Sequence, residues 1–274
     1  MRYLDAAGAM REARADVVVA ACGAVETARL LLLSAEPRHR EGLGNHSGHL
    51  GRHVTFHHVV EVGAVLPEAA APTRRAAPSL RAIDDHYLLP PAAGAPLGGV
   101  LLLGDPLGPI AYARAHPRPE AARAHPRHVR LFAIGQDLPR AENDVSLDPE
   151  VKDVFGLPAA RITHENHAHD RAAARFLADR ALELLAEARG EDRWADVPEN
   201  TSGDAHQHGT CRAGDDPRAA VLDRDCAVHG IPNLFVADGG FMPTALGVNP
   251  ALTIQANALR VAARIDARGR GRAL

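Results

Sequence analysis

A run of five apolar residues, from Val17 to Ala21, constrains the fold of this chain more than any other feature. A strand that is apolar at every position is typical of a sheet covered by helices on both faces, as in doubly wound folds. The run is followed by Cys22-Gly23 and by the helical pattern of residues 24–34. This order of strand, turn and helix predicts that the backbone of residues 23–26 lies at the ligand-binding edge of such a sheet.

A second strand-to-helix unit lies near the C-terminus. Residues 233–238 form a short apolar run that ends at Asp238-Gly239, which predicts a buried strand followed by a turn. Asn249-Pro250 then predicts a sharp helix start with Asn249 as the N-cap, and the alanine-rich segment that follows extends to about Ile265. Because the first turn of a helix presents unpaired N–H groups, this start suits a ligand that carries or develops negative charge.

Two histidines, His206 and His208, stand just before the tight turn at Gly209-Thr210. Imidazole titrates near neutral pH, so a histidine in such a turn is a candidate proton acceptor beside a ligand. The alternative is a structural histidine that satisfies a turn carbonyl.

Three ordered motifs in the same region carry a family resemblance. They read H-x-x-G-T-C-R-x-G from His206, V-x-D-x-D-C-x-V-H-G-x-x-N-L-x-V-x-D-G from Val221, and N-P-x-L-T from Asn249. Together they resemble the C-terminal region of the glucose-methanol-choline (GMC) family of FAD-dependent oxidoreductases. Two positions depart from the pattern: Ala213 stands where many relatives have methionine, and His208 stands where an apolar residue is usual.

Two earlier segments are similar to the same family. GAVETARLLLLSA, from Gly23, resembles its second signature, with Ala28 where proline is usual. N-x-S-G-x-x-G-R, from Asn45, resembles a segment that ends in a histidine, here His57, and leads from the flavin domain into the substrate domain. The resemblance covers nearly the whole chain, but it corresponds to roughly the second half of a family member.

The resemblance implies oxidation of an alcohol carbon, with hydride transfer to FAD and a histidine base for the hydroxyl proton. His206 matches the family's catalytic histidine, with His208 as its near rival, and Asn249 matches the residue that hydrogen-bonds the substrate oxygen. The implied substrate is a small-molecule alcohol or sugar. For Asn249 the alternative is a plain helix cap, and both roles could hold together. The implied cofactor-binding residues are Gly23, Ala24, Asn45, Asp238, Gly239, Pro250 and Thr253.

The expected fold class is α/β, or α+β overall. It comprises the remainder of a Rossmann-like FAD-binding domain and a substrate domain with a mostly antiparallel sheet. The expected boundaries are residues 1–56 for an FAD-domain portion, 57–210 for the substrate-binding domain, and 211–274 for the return to the FAD domain. The predicted elements of the substrate domain are strands at 98–104 and 128–138, a hairpin of 143–147 with 160–164, a helix from its N-cap Asp170 to Gly190, and loops over 67–96.

The family's FAD fingerprint, G-x-G-x-x-G after a first strand, is not found in this sequence. Gly42-Leu-Gly44 does not qualify, because it follows a helix and the third glycine is misplaced. The N-terminal dinucleotide-binding unit is therefore expected either as a separate chain or as a part missing from a truncated product. The main alternative function is a catalytically incompetent fragment that lacks the FAD pyrophosphate site.

Histidine clusters raise a third alternative, a metal or small-ligand binding module. Metal-ligating side chains are grouped in His164-Glu-Asn-His167-Ala-His169, and again at His206, His208 and Cys211. The first group has no pair of histidines at the helical i, i+4 spacing, and sixteen histidines make such clusters common by composition. No metal is therefore expected.

Composition argues against several other classes of function. The net charge of −3 gives no basic footprint for a nucleic-acid partner. The sequence contains no run of eighteen apolar residues, so no membrane span is predicted. Only three cysteines suggest a reducing compartment, so a cytoplasmic location is expected, unless a preceding segment carries a targeting signal.

Overall fold

The computed structural model describes residues 1–68, 82–87, 98–104, 107–115, 124–201 and 206–270. Most of the segment predicted as loops, 67–96, lies outside these ranges. Within the described ranges the strands are β1 (Arg2–Leu4), β2 (Met10–Glu12), β3 (Val18–Ala20), β4 (His58–Val65), β5 (Ala82–Ile83), β6 (Gly99–Gly104), β7 (His128–Gly135), β8 (Asp144–Lys152), β9 (Pro158–Thr163), β10 (Glu191–Asp196), β11 (Ala227–Val228) and β12 (Ile231–Val236). The α-helices are α1 (Ala24–Leu33), α2 (Pro109–Ala115), α3 (Ala168–Glu187) and α4 (Ala251–Arg270).

The two strand-to-helix units predicted from the sequence lie side by side. β3 and β12 pair in parallel, with Val18 opposite Leu234 and Ala20 opposite Val236, and β11 adds an antiparallel edge. Because parallel strands end at the same edge, the turn after β3 and the turn after β12 meet there. The start of α1 and the turn after β12 therefore lie at the same edge of this sheet.

The first strand is less covered than its apolar sequence predicts. Val17–Ala21 was expected to be buried on both faces, but β3 spans Val18–Ala20 and Val19 is 47 % exposed. β3 forms an edge of its three-stranded sheet, so within the described chain one side of the strand has no neighbour. The strand prediction is confirmed, but the described chain does not bury both faces of β3.

A five-stranded sheet of order β10-β4-β7-β6-β5 forms the second layer, and all of its pairs are antiparallel. The helix α3 covers one face, where Leu177, Ala181 and Leu185 pack against Val60 and Val62. Burial of these apolar side chains is the main stabilisation of this layer. The expected mostly antiparallel sheet, and with it the mixed fold class, is confirmed.

The start of α3 differs from the predicted N-cap at Asp170. His167 is the N-cap, and its ring Nδ1 accepts a hydrogen bond from the His169 backbone N–H. Asp170 occupies the third helical position and accepts from the His167 N–H at 2.8 Å, which completes a capping box. Burial is the largest influence on the Asp170 carboxyl and raises its pKa. The prediction chose the right helix but the wrong cap, because a carboxylate serves either position.

The hairpin of β8 and β9 is longer than predicted. Its pairs run from Asp144 opposite Thr163 to Lys152 opposite Pro158, beyond the predicted 143–147 and 160–164. The turn is closed by Asp153, whose side chain accepts from the N–H groups of Phe155 and Leu157. The local Asx-type turn explains why the strands extend this far.

Buried apolar side chains form three clusters within the described chain. One core combines residues 20–50 with 211–261, around Phe235, Leu222 and Leu31. A second lies within residues 60–185, around Leu177 and Val60. The third joins Val25 and Ala28 of α1 to Phe56 and Val145. The domain boundaries at 56 and 210 stay a prediction.

Candidate active site

The loop that carries His206 and His208 is hydrogen-bonded to the segment that enters β4. His208 and Thr55 exchange two backbone hydrogen bonds, of 2.9 and 3.2 Å. Gly209 has a φ of 92°, and a Cβ there would lie 2.0 Å from the His53 carbonyl oxygen, so only glycine fits. The turn predicted at Gly209 thus brings the loop against the segment that enters β4.

His206 itself adopts an uncommon backbone conformation, with a φ of 58°. Non-glycine residues with positive φ are rare and tend to lie where surrounding contacts hold them, often at functional sites. The His206 ring contacts His57 and Asn249: its Nδ1 lies 2.8 Å from Nδ1 of His57, and its Nε2 lies 3.1 Å from Nδ2 of Asn249. The two residues that the resemblance assigned to catalysis, His206 and Asn249, are therefore in direct contact.

Three residues form a line from the interior to the surface. His57 is 1 % exposed, His206 is half-buried, and Asn249 is exposed. The Nδ1 edge of His206 therefore faces the protein interior, and its Nε2 edge faces the accessible side. A molecule that enters from solvent would meet the Nε2 edge together with the Asn249 amide.

His208, the rival of His206, points into the protein. It is fully buried, its Nδ1 lies 3.3 Å from the Thr55 carbonyl oxygen, and its ring centroid lies 5.2 Å from that of His57. Burial is the largest cause that lowers its pKa, to about 4. A neutral, enclosed imidazole of this kind is suited to packing, and the structure does not bring it to Asn249.

His57 completes the cluster, and sequence reasoning did not identify it as a contact of His206. Burial lowers its pKa to about 3, with further lowering from His208 and His206 and an opposing effect of the Leu246 backbone. The segment is fixed on both sides: the Phe56 N–H donates to Asp137, and the Thr201 hydroxyl donates to the His57 carbonyl. The only sequence signal for this role was the position of His57 at the end of the N-x-S-G-x-x-G-R segment.

Asp238 ties the turn after β12 to the start of α1. Its carboxylate accepts hydrogen bonds from the Gly23 N–H at 3.1 Å, the Gly240 N–H at 2.8 Å and the Thr27 hydroxyl. Burial is the largest influence on Asp238 and raises its pKa, against the lowering effect of these donors. The side chain is thus used inside the protein, which leaves the backbone of this turn to face a ligand.

The remaining predicted cofactor residues divide into two groups. Gly23, Ala24, Gly239, Pro250 and Thr253 lie at the starts of α1 and α4 or at the turn between them, and a Cβ on Gly239 would be 3.3 Å from Ile254 in the first turn of α4. Asn45 is different: its amide donates to the Glu41 carbonyl, and its oxygen accepts from the Leu50 N–H. Both ends of the Asn45 side chain therefore stabilise their own loop.

The helix α4 begins one residue later than predicted. The Pro250 carbonyl accepts the first helical hydrogen bond, from Ile254 at 2.9 Å, and the helix spans Ala251–Arg270, past the predicted end near Ile265. Asn249 therefore precedes the capping position, and its side-chain amide contacts His206. Asn249 is therefore not a plain helix cap.

The histidines of the alternative metal cluster have structural partners. His164 Nε2 lies 2.7 Å from Asp137 Oδ2, and His167 caps α3. Among the residues that the structure describes, no group of three or more His, Cys, Asp or Glu side chains is arranged to hold a metal ion. Cys211 is buried, and burial raises the pKa of its thiol, so it is not a ready metal ligand.

The starts of α1 and α4 carry hydrogen-bond donors of the kind that bind a flavin. Both α1 and α4 present unpaired N–H groups in their first turns, and the glycine turn at Gly239 permits close approach of a ligand to the backbone. The turn meets the loop of His206, because a Cβ on Gly239 would lie 2.4 Å from the Gln207 carbonyl oxygen. Hydrogen-bond donors and an imidazole thus share one edge of the molecule. Within the described chain, no helix is both long and apolar enough to cross a membrane.

Comparison with known proteins gives relatives of one kind. Residues 139–258 match the family model described as GMC oxidoreductase. Paromamine 6'-oxidase of Streptomyces fradiae is 37 % identical over 91 % of this chain and 45 % of its own length. For 6'''-hydroxyparomomycin C oxidase of Streptomyces lividus the values are 34 %, 97 % and 47 %. For 2-methyl-1,2-propanediol dehydrogenase of Mycolicibacterium austroafricanum they are 33 %, 97 % and 50 %.

Solved structures agree on the fold. Formate oxidase of Aspergillus oryzae, in its R554A variant, matches 98 % of this chain and 57 % of its own with a TM-score of 0.69 at 19 % identity. Pyridoxine 4-oxidase matches 96 % of this chain and 53 % of its own with a TM-score of 0.66 at 21 % identity. The chain spans about half the length of the curated relatives it matches. It belongs to the GMC oxidoreductase family, of which it represents the C-terminal portion.

Proposed function

We propose that this chain provides the substrate-side half of an FAD-dependent site that oxidises the CH–OH group of a small alcohol or sugar. The observation that carries the proposal is the contact of His206 Nε2 with the Asn249 amide at 3.1 Å. The opposite edge of the His206 ring contacts the buried His57. A general base beside a hydrogen-bond donor is what deprotonation of an alcohol requires.

The two side chains have complementary roles toward a hydroxyl group. His206 Nε2 accepts the hydroxyl proton, and the Asn249 amide donates a hydrogen bond to the oxygen as negative charge develops on it. The His206 ring contacts His57 and the neutral amide of Asn249. Burial keeps His57 and His208 uncharged, with pKa values of about 3 and about 4, so these two histidines place no positive charge beside the base.

FAD is the proposed cofactor, and when bound it would accept the hydride from the alcohol carbon. The first turn of α4 would hold it through backbone N–H groups such as that of Thr253, with Pro250 at the start of the turn, and the glycine turns at Gly23 and Gly239 would let it approach the backbone closely. Asp238 supports this surface indirectly, since its carboxylate binds the two glycine segments together. Asn45 contributes by ordering its own loop.

The substrate class rests on the named relatives. Their names give paromamine, 6'''-hydroxyparomomycin C and 2-methyl-1,2-propanediol as compounds on which those proteins act. All three names fit oxidation of an alcohol group on a polar small molecule. Paromamine and 2-methyl-1,2-propanediol are therefore the first test substrates for this protein.

A second polypeptide region is proposed to complete the FAD site. The sequence holds no G-x-G-x-x-G turn for the pyrophosphate, and exposed apolar side chains surround the edge where such a region would dock. Val19 of β3 is 47 % exposed, and Leu252 and Leu259 on one side of α4 are 77 % and 75 % exposed. We propose that a segment matching the other half of the relatives, in the same protein or as a separate chain, covers them.

Expressed by itself, this 274-residue chain is expected to bind FAD well below one equivalent, because the glycine turn and helix that hold the pyrophosphate are not in its sequence. Flavin absorbance per chain after gel filtration in FAD measures this. Co-expression with the unmatched N-terminal part of paromamine 6'-oxidase is the comparison, and it is expected to raise the flavin content. A yellow, saturated monomer of this chain alone would contradict the prediction, and no gain on co-expression would favour the incompetent-fragment alternative.

The role of Asn249 is tested by Asn249→Asp in the assembled FAD protein. Aspartate keeps the size of the side chain but replaces a donor with an anion, which opposes negative charge on the substrate oxygen. We expect the rate of flavin reduction by a test alcohol to fall at least about tenfold, the effect of one lost interaction of roughly 1.4 kcal/mol in the transition state. Stopped-flow absorbance measures the rate.

Thermal unfolding provides the control for this substitution. Because Pro250 accepts the first bond of α4, Asn249→Asp leaves the helix start intact, and the melting temperature is expected to stay within a few degrees of the parent. An unchanged reduction rate would make Asn249 a structural residue. Asn233→Asp is the matched variant in β12: it removes an exposed hydrogen bond from the Asn233 amide to the Asp16 carbonyl, so it should leave the reduction rate unchanged and lower the melting temperature only slightly.

A further inference from the structure

The contact between His57 and His206 has a property that neither residue has alone. Their two Nδ1 atoms lie 2.8 Å apart, and a hydrogen bond between identical atoms needs one donor and one acceptor. One ring must therefore carry its proton on Nδ1, and the other must leave Nδ1 unprotonated. The direction of this bond determines whether a neutral His206 carries its proton on Nδ1 or on Nε2.

The contact of His206 with Asn249 indicates the direction of this hydrogen bond. Asn249 presents its amide nitrogen, which is a donor, to His206 Nε2 at 3.1 Å. Nε2 then accepts, so the proton of a neutral His206 is on Nδ1. His57 Nδ1 must accept that proton's hydrogen bond, and its own proton lies on the opposite ring nitrogen.

His57 is built to act as this acceptor. It is 1 % exposed, and its backbone is held by the Thr201 hydroxyl and by the bond from the neighbouring Phe56 N–H to Asp137. Asp137 is fully buried and is itself fixed by His164 at 2.7 Å. This network fixes the backbone from which the His57 ring projects, and burial encloses the ring and keeps it neutral at physiological pH.

We propose that His57 is a positioning residue that holds His206 as the Nδ1–H tautomer and so directs the Nε2 lone pair toward the substrate hydroxyl. The proposal rests on the proposed function, in which His206 is the base. It adds the group that decides which edge of the base is active. In free imidazole side chains the Nε2–H tautomer is favoured, so without an acceptor at Nδ1 most His206 would present a proton where a lone pair is needed.

Two variants separate this role from packing. Leucine and asparagine have the same branching pattern, so His57→Leu and His57→Asn leave similar space, but only asparagine offers an acceptor near the original Nδ1 position. The positioning role predicts that His57→Asn rescues what His57→Leu loses. A purely structural role predicts equal defects, or a smaller defect for the apolar leucine in this buried place.

The direct readout is the tautomer of His206, measured by long-range ¹H–¹⁵N correlation in the assembled FAD protein labelled with ¹⁵N-histidine. His206→Gln identifies the signal. We expect the Nδ1–H form in the parent and in His57→Asn, and mainly the Nε2–H form in His57→Leu. An Nε2–H tautomer in the parent, or an unchanged tautomer in His57→Leu, would overturn the proposal.

Kinetics provide the second readout. With a test alcohol, kcat/KM of His57→Leu is expected to fall at least about tenfold, whereas His57→Asn stays within about threefold of the parent. Equal losses in the two variants would overturn the positioning role. If the tautomer follows His57 as expected but His206→Ala retains full turnover, the positioning stands and the assignment of His206 as the base fails.

Discussion

Replacing His206 with alanine in the assembled FAD protein is expected to lower turnover of a test alcohol by about two to four orders of magnitude, the usual contribution of a positioned general base. FAD should remain bound, because in the proposed site the glycine turns and the first turn of α4 hold the cofactor, and His206 faces the substrate. The loss should appear in both kcat and kcat/KM, since the interaction of the base with the hydroxyl proton is stronger in the transition state than in the ground state. Single-turnover flavin reduction measures it directly.

The neighbouring histidine provides the matched control. His208→Gln keeps a polar side chain in the buried site beside Thr55 and is expected to reduce the melting temperature more than the rate. His206→Ala should show the reverse, a large loss of rate with little loss of stability, because His206 is only half-buried. If the two variants exchanged these patterns, the base would be His208 and the alignment of the H-x-x-G-T motif with this chain would be wrong.

Local elements could be predicted from the sequence where the signal is local. The apolar run at β3, the capping side chains of α3 and the Asn249-Pro250 start each fix structure within a few residues. The errors were shifts of one to three residues at helix starts, at Asp170 and at Asn249. Such errors are expected, because several residues near a helix start can satisfy its free N–H groups equally well.

The histidine network could not be predicted in the same way. His57 and His206 are separated by 149 residues, and their contact depends on how the substrate-side core docks against the flavin-side core. His57 lies in a segment where every side chain from His53 to His58 is buried, so no alternation shows which one faces the site. The family resemblance identified His206 and Asn249, and it placed His57 at the end of a segment without indicating its contact with His206.

The sequence also assigned Asp238 to the ligand, and the structure gives its carboxylate a different partner set. Its acceptors are used by Gly23, Gly240 and Thr27, within the protein. A short motif such as D-G does not distinguish a side chain that contacts a cofactor from one that shapes the backbone around it. The same holds for Asn45, whose amide is used within its own loop.

Gly239 is the residue at which the two halves of the proposed site meet, and Gly239→Ala is expected to damage both. The added Cβ would lie 2.4 Å from the Gln207 carbonyl oxygen, well inside contact distance, and 3.3 Å from Ile254 Cδ1 on α4. Gln207 lies between His206 and His208, so relief of the clash moves the loop that carries the base. Movement toward α4 is opposed by the Ile254 side chain.

We expect Gly239→Ala to lose about 1–3 kcal/mol of stability, the usual cost of inserting a methyl group into a close-packed contact. Displacement of the base by about 1 Å is expected to reduce the rate of flavin reduction by roughly 100-fold. Denaturant unfolding and stopped-flow reduction measure the two effects. The control is Gly269→Ala in α4, where no atom lies within 4 Å of the added Cβ. It should leave the rate unchanged and stability equal or slightly higher, because alanine favours a helix. A Gly239→Ala protein with parental rate and stability would show that the Gln207 loop can relax without moving His206, and the close coupling of the glycine turn to the base would then be wrong.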